Sequence, residues 1–100
     1  MLEQTKPKRG RPIGARTFDP APALAFGEAI RQRRFELELS QEQLGNLAQV
    51  ERSHMGKIER GQHMPNLALI LRLAVALSTT PGTLVDLAAS KLSGYDPNRS

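Results

Sequence analysis

Ser40 to Gly61 reads SQEQLGNLAQVERSHMGKIERG, and the way this stretch starts, breaks and restarts decides the fold. Ser40 stands before Gln41, Glu42 and Gln43. A serine followed three residues later by glutamine forms a capping box, in which each side chain satisfies an unpaired amide of a helix's first turn. A helix therefore starts at Ser40, with Leu44, Leu47 and Ala48 as its inward face, and it stops at Gln49 and Val50. A second helix runs within Glu51 to Arg60. It turns Met55 and Ile58 inward, leaves Arg52, Ser53, Gly56, Lys57 and Arg60 to face elsewhere, and has Gly61 as its C′ residue.

Upstream, Phe26, Ala29, Ile30 and Leu37 recur at helical steps among charged residues, which predicts a helix from near Ala23 to near Leu37. Downstream, Asn66 caps a helix through Leu77, where Leu67, Ile70, Leu71, Ala74 and Leu77 make the most apolar stretch of the chain. Thr80 and Pro81 read as N-cap and first helical residue, because a proline there gives up only an amide that would be unpaired anyway. The fifth helix is expected to end near Leu92, and Ser93 to Ser100 to be coil. No internal repeat and no strand candidate is visible, so the expected class is all-α.

The 100 residues, 39% of them apolar and 4% aromatic, suit one small helical domain with tails. Without cysteine, neither a disulfide framework nor thiolate metal ligation is possible. No apolar run approaches the roughly 20 residues that span a bilayer, and no signal-peptide pattern follows the N-terminus, so a cytoplasmic protein is expected. The charge is uneven. Lys6, Lys8, Arg9, Arg11 and Arg16 stand against Glu3 and Asp19 in the first twenty residues, a net +3 of the total +4. Four prolines and two glycines without periodicity predict that residues 1–22 form a flexible basic arm, residues 23–92 the folded domain and residues 93–100 a C-terminal coil. A basic arm on a nearly neutral body suits a polyanion partner; the alternative is a solubilising end.

Two short helices joined by a tight turn, the second with a polar outer face, form a helix-turn-helix. The quoted segment, with MPNLALILRLAVAL behind it, resembles the phage-repressor-type helix-turn-helix regulators, the XRE class, from Phe26 to about Leu87. The resemblance implies a five-helix lambda-repressor-like bundle that binds double-stranded DNA and regulates transcription. It places Arg52, Ser53 and Lys57 at base edges in the major groove, with Arg52 able to pair O6 and N7 of guanine. Lys57 reads guanine or touches a phosphate, and His54 reaches the groove or is simply an exposed helix residue. Gln41 matches a phosphate-contacting position; Arg60 and Gln62 fit a phosphate-contacting loop, and Asn66 does likewise or serves only as a cap. The resemblance pairs Arg34 with Glu59 as a structural lock. The chain departs from the pattern at Glu38 and Gln49, where glycine is usual and positive φ is favoured, and at Glu51, where serine or threonine would cap. Glu51 either accepts from cytosine N4 or tunes affinity down.

Within the arm, Arg9-Gly10-Arg11-Pro12 resembles the core of an AT-hook, which lies in the minor groove of A·T-rich DNA, with Lys8 beside it as a further minor-groove contact. Gly10 clears the groove floor while Arg9 and Arg11 follow the narrow negative groove, although Ile13-Gly14 stands where further basic residues are common. A nonspecific phosphate-binding arm, a nuclear-import-like cluster and plain solubility are the competing readings. One recognition helix reads few base pairs, which predicts a homodimer over half-sites about 34 Å apart, paired through Leu84, Val85, Leu87, Ala88 and Leu92 of the last helix unless these finish the core. No catalytic residue, metal ligand set or cofactor motif is found, His54 and His63 not being at helical ligand spacing. The expected setting is the bacterial nucleoid. Two alternatives stand: an antitoxin that binds a toxin protein and represses its own operon, and an architectural protein coating A·T-rich DNA.

Overall fold

The computed structural model describes residues 18–92 and Gly94. Within them the chain forms five helices: α1 Pro20–Glu36, α2 Gln41–Ala48, α3 Arg52–Glu59, α4 Leu67–Ala76 and α5 Pro81–Ser90, with no strand among the described residues. Residues 1–17 of the N-terminal arm, with Lys8 to Pro12, lie outside the described residues, as does most of the C-terminal coil.

Local chemistry sets most helix ends where expected. Ser40 and Gln43 close the capping box in both directions, at 3.0 and 2.8 Å. Asn66 Oδ1 accepts from the Leu69 amide at 2.9 Å, and Thr80 Oγ1 from the Thr83 amide at 3.0 Å. The start of α1 differs from the sequence reading. It begins at Pro20 rather than near Ala23, because Asp19 Oδ1 accepts from the Ala21 amide and Pro20 and Pro22 fall in the first turn, where amides have no intrahelical partner. Prolines read as a sign of coil are thus a helix start, and the expected boundary between residues 22 and 23 falls inside α1.

One core joins all five helices. α1 supplies Phe26, Ala29 and Ile30, α2 Leu44 and Ala48, α3 Met55 and Ile58, α4 Leu69, Leu73 and Ala74, and α5 Leu84 and Ala88, with Val50 and Leu77 from the connections. Two inward faces need correction. In α4 the buried leucines are Leu69 and Leu73, while Leu67 is 68% and Leu71 44% exposed. The sequence LALILRLAVA is apolar almost all round, so its periodicity carries no contrast from which to phase it. In α2 it is Gly45, not Leu47, that joins Leu44 and Ala48 inside. A Cβ on Gly45 would overlap the Val50 carbonyl, so the lack of a side chain lets the turn fold tightly onto α2. Gly27 has the same role at the crossing of α1 and α3, lying against the Ile58 and Glu59 carbonyls.

Arginines tie the helix ends together. Arg33 donates to the carbonyls of Leu77 (2.9 Å) and Ser78 (3.2 Å), just past α4, and Arg72 donates to the Ala48 carbonyl (3.0 Å) ending α2. These carbonyls are among those a helix C-terminus cannot satisfy itself. Glu38 and Gln49 take positive φ, 58° and 61°, as their positions predict, and Ser78 does so at 54° without a warning in the sequence. Each exits its helix through a 6→1 bond, such as Leu39 N to Arg34 O at 3.0 Å and Val50 N to Gly45 O at 2.8 Å.

The left-handed conformation costs a non-glycine residue about 1 kcal/mol. Glu38→Gly and Gln49→Gly should therefore each raise the thermal midpoint by about 4–8 °C in a domain of this size. A scan showing no rise for either would contradict the strain assigned to these turns.

Candidate nucleic-acid interface

The turn Gln49–Glu51 sets α3 across α2 and fixes which side of α3 is free. Met55, Gly56, Ile58 and Glu59 face the body, so Arg52, Ser53 and Lys57 stand exposed and His54 half-buried. Glu51 precedes the helix but makes no capping bond with its side chain.

Its orientation is held by a buried ion pair. Arg34 Nε and Nη2 donate to the two Glu59 oxygens at 2.6 and 2.8 Å, and Arg34 Nη1 to the Leu39 carbonyl at 2.8 Å. The two side chains are 9% and 3% exposed. Removing either partner would strand a buried charge, at a cost of about 3–5 kcal/mol. Gln41 joins the pair, its Nε2 donating to Glu59 Oε1 at 3.1 Å. The amide donor expected to serve a phosphate is thus engaged with α3, and the amide oxygen of Gln41 lies beside Gly56.

The other expected phosphate contacts sit apart from the core. Arg60 and Gln62 are exposed and bonded to each other at 3.2 Å, and Asn66 is exposed and occupied in capping α4. Among the described residues Arg52, Lys57 and Arg60 make no ion pair. Their charges are available to a polyanion. Gln41 and Arg60 also line a polar cleft of about 280 Å³ with Arg31, Arg34 and Glu59. Arg31 precedes Arg34 by three residues, a spacing that puts both on one side of α1.

His54 and His63 meet edge to face, ring centroids 4.4 Å apart. Burial first, then the charges of His54 and Lys57, hold the His63 imidazole below its ordinary pKa of 6.5. The unfolded chain therefore takes up this proton before the folded one does. Stability from His63 is present above about pH 6.5 and is lost as pH falls through that value towards the lower folded pKa. Urea midpoints of the parent and His63→Asn, compared at pH 7.5 and 5.5, should differ less at the lower pH; an unchanged difference would remove His63 from the pH response.

A helix-turn-helix domain family matches residues 25–88. No curated protein matches the chain. Among solved structures, the restriction-modification controller protein C.AhdI from Aeromonas hydrophila is 42% identical over 64% of this chain and 97% of its own, with a TM-score of 0.62. The P22 c2 repressor, in complex with a synthetic operator, is 36% identical over 59% of this chain and 89% of its own, TM-score 0.56. The clp gene regulator ClgR from C. glutamicum has the same fold at 21% identity, covering 76% of this chain and 99% of its own, TM-score 0.71. The five helices form a lambda-repressor-like bundle, and the chain belongs to the phage-repressor-like class of the helix-turn-helix family.

Proposed function

We propose that the chain binds double-stranded DNA as a transcription regulator, with the N-terminal half of α3 in the major groove. The observation that carries this reading is the free polar side of α3, Arg52, Ser53 and Lys57, on a helix locked from behind by Arg34 and Glu59. A major groove about 12 Å wide admits one helix, and base reading requires that helix at a fixed depth. Arg52 has the fork to take guanine O6 and N7, while Ser53, His54 and Lys57 lie along the same helix. Gln41, Arg60, Gln62 and Asn66 serve the backbone around it, Gln41 chiefly by positioning α3. Similarity to an operator-bound repressor and a restriction-modification controller favours control of transcription over other uses of the fold.

Two further parts complete the reading. Lys8 to Pro12 would follow an adjacent A·T-rich minor groove, on the strength of the residue types in the arm. A homodimer would double the base pairs read. Leu84 and Ala88 are spent on the core, so the pairing surface of α5 is Val85 and the apolar groove beside it, about 300 Å³, lined by Pro22, Phe26, Met64, Ile70 and Leu92 among others. Among the described residues no single helix is long and apolar enough to cross a membrane. The expected place of action is the nucleoid.

A duplex enriched from a random pool by binding to the protein supplies the test. Arg52→Ala should weaken that duplex by roughly 5- to 150-fold, the equivalent of about 1–3 kcal/mol, and an unrelated duplex far less. In the same titrations, removing residues 1–16 should cost most where the flanks are A·T-rich. Equal losses on both duplexes would take Arg52 out of base reading, and no complex at low salt would end the DNA-binding reading.

A further inference from the structure

The chain has two histidines, and the fold brings them together. His54 lies in the first turn of α3, between Ser53 and Met55, and His63 in the connection to α4, directly after Gln62. Their rings meet edge to face at 4.4 Å, both half-buried, with the exposed Ser53 and Lys57 on one side and the exposed Gln62 on the other. Neither imidazole is hydrogen-bonded or ion-paired among the described residues. Each keeps its ring nitrogens uncommitted, one donating and one accepting while the ring is neutral.

The surroundings of His63 are set against a positive charge. Burial comes first, and the charged or titratable groups that act on the ring are His54 and Lys57, both from α3; no carboxylate of any element is among them. The imidazole is consequently neutral near pH 7. Ring packing alone would be served as well by two apolar side chains, whereas this contact leaves a vacant proton site beside the helix that faces a polyanion. A phosphate brought close reverses the balance, because it offsets the field of Lys57 and favours the imidazolium.

Resting on the DNA-binding reading above, we propose that His63, braced against His54, takes up one proton when the DNA backbone approaches α3, so that binding tightens as pH falls. The proton comes from solvent and turns the accepting ring nitrogen into a second N–H donor, adding one positive charge against the phosphates. In the free protein the ring is held below its ordinary range, and on DNA it is raised above that free value. Between the two values the complex holds more protons than its separate parts, so affinity rises as pH falls across that window and levels off below it. One proton per protomer limits the gain to about tenfold per pH unit. With no cysteine and no third histidine, no other side chain ordinarily titrates between pH 5.5 and 7.0.

Titration calorimetry of the full chain with the enriched duplex at pH 6.5, in two buffers of different ionisation enthalpy, counts the protons directly. The parent should take up roughly 0.3 to 1 proton per protomer, and fewer at 200 mM salt than at 50 mM because salt screens the phosphates. From pH 7.0 to 5.5 its affinity should rise by about three- to thirtyfold. His63→Asn and His63→Gln, each shown by thermal melting to be folded at pH 6.5, should lose most of the uptake and most of the rise. Loosening of the fold in acid cannot imitate this result, since it would weaken binding at pH 5.5. No uptake by the parent would overturn the proposal. Uptake that persists in both His63 variants and disappears in His54→Asn would assign the proton to His54 and overturn it too. A parent that binds no duplex overturns the functional reading together with the coupling, whereas a parent that binds without taking up a proton overturns the coupling alone.

Discussion

The buried pairing of Arg34 with Glu59 is the constraint on which the arrangement of this molecule depends. A guanidinium and a carboxylate out of water are tolerable only when each finds its full set of partners. Here Arg34 spends three donors on Glu59 and the Leu39 carbonyl, and Gln41 supplies a further bond to Glu59. The geometry needed to satisfy one charge therefore specifies where α1, the exit from α1, the start of α2 and the end of α3 must lie. Apolar packing of Met55 and Ile58 would tolerate some rotation of α3; a forked bond of 2.6 and 2.8 Å does not. Such pairs add little net stability over an apolar substitute, and their value lies in choosing one orientation.

The close approaches around the pair serve the same end. Gly27 lets the Ile58 and Glu59 carbonyls rest on α1, and Gly45 lets the Val50 carbonyl rest on α2. α3 is thereby held at both ends, its start by the tight turn after α2 and its end by Glu59. The polar side that remains, with Arg52, Ser53 and Lys57, gives nothing to the core, so its side chains are free of any packing requirement. Gln49 accepts positive φ inside the turn and Glu38 just before α2, two strained positions flanking the very helix that clamps α3.

Much of this was legible in the sequence because it is written in local chemistry. The Ser40–Gln43 box, the caps Asn66 and Thr80, Gly61 after α3 and the positive φ of Glu38 and Gln49 each follow from a few neighbouring residues. What the sequence hid depended on contrast or distance. α4 is apolar on nearly every side, so only its neighbours decide that Leu69 and Leu73 go in and Leu67 and Leu71 stay out. Pro20 and Pro22 look like coil until Asp19 is seen to cap them. At the site, the exposed side of α3 could be anticipated from Met55 and Ile58. The engagement of Gln41 with Glu59, the ring contact of His54 with His63 and the cleft containing Arg31 could not, since each joins residues on different elements or across a loop.

The central claim is that the Arg34–Glu59 pair sets the reading angle of α3 more than it stabilises the fold. Measuring how strongly Arg34→Met combined with Glu59→Leu discriminates an enriched duplex from an unrelated one tests it directly. Replacement of a buried ion pair by apolar residues of similar volume is neutral or mildly stabilising, so the account predicts a folded variant with undiminished thermal midpoint whose discrimination falls at least tenfold. A folded variant that discriminates as well as the parent would contradict it.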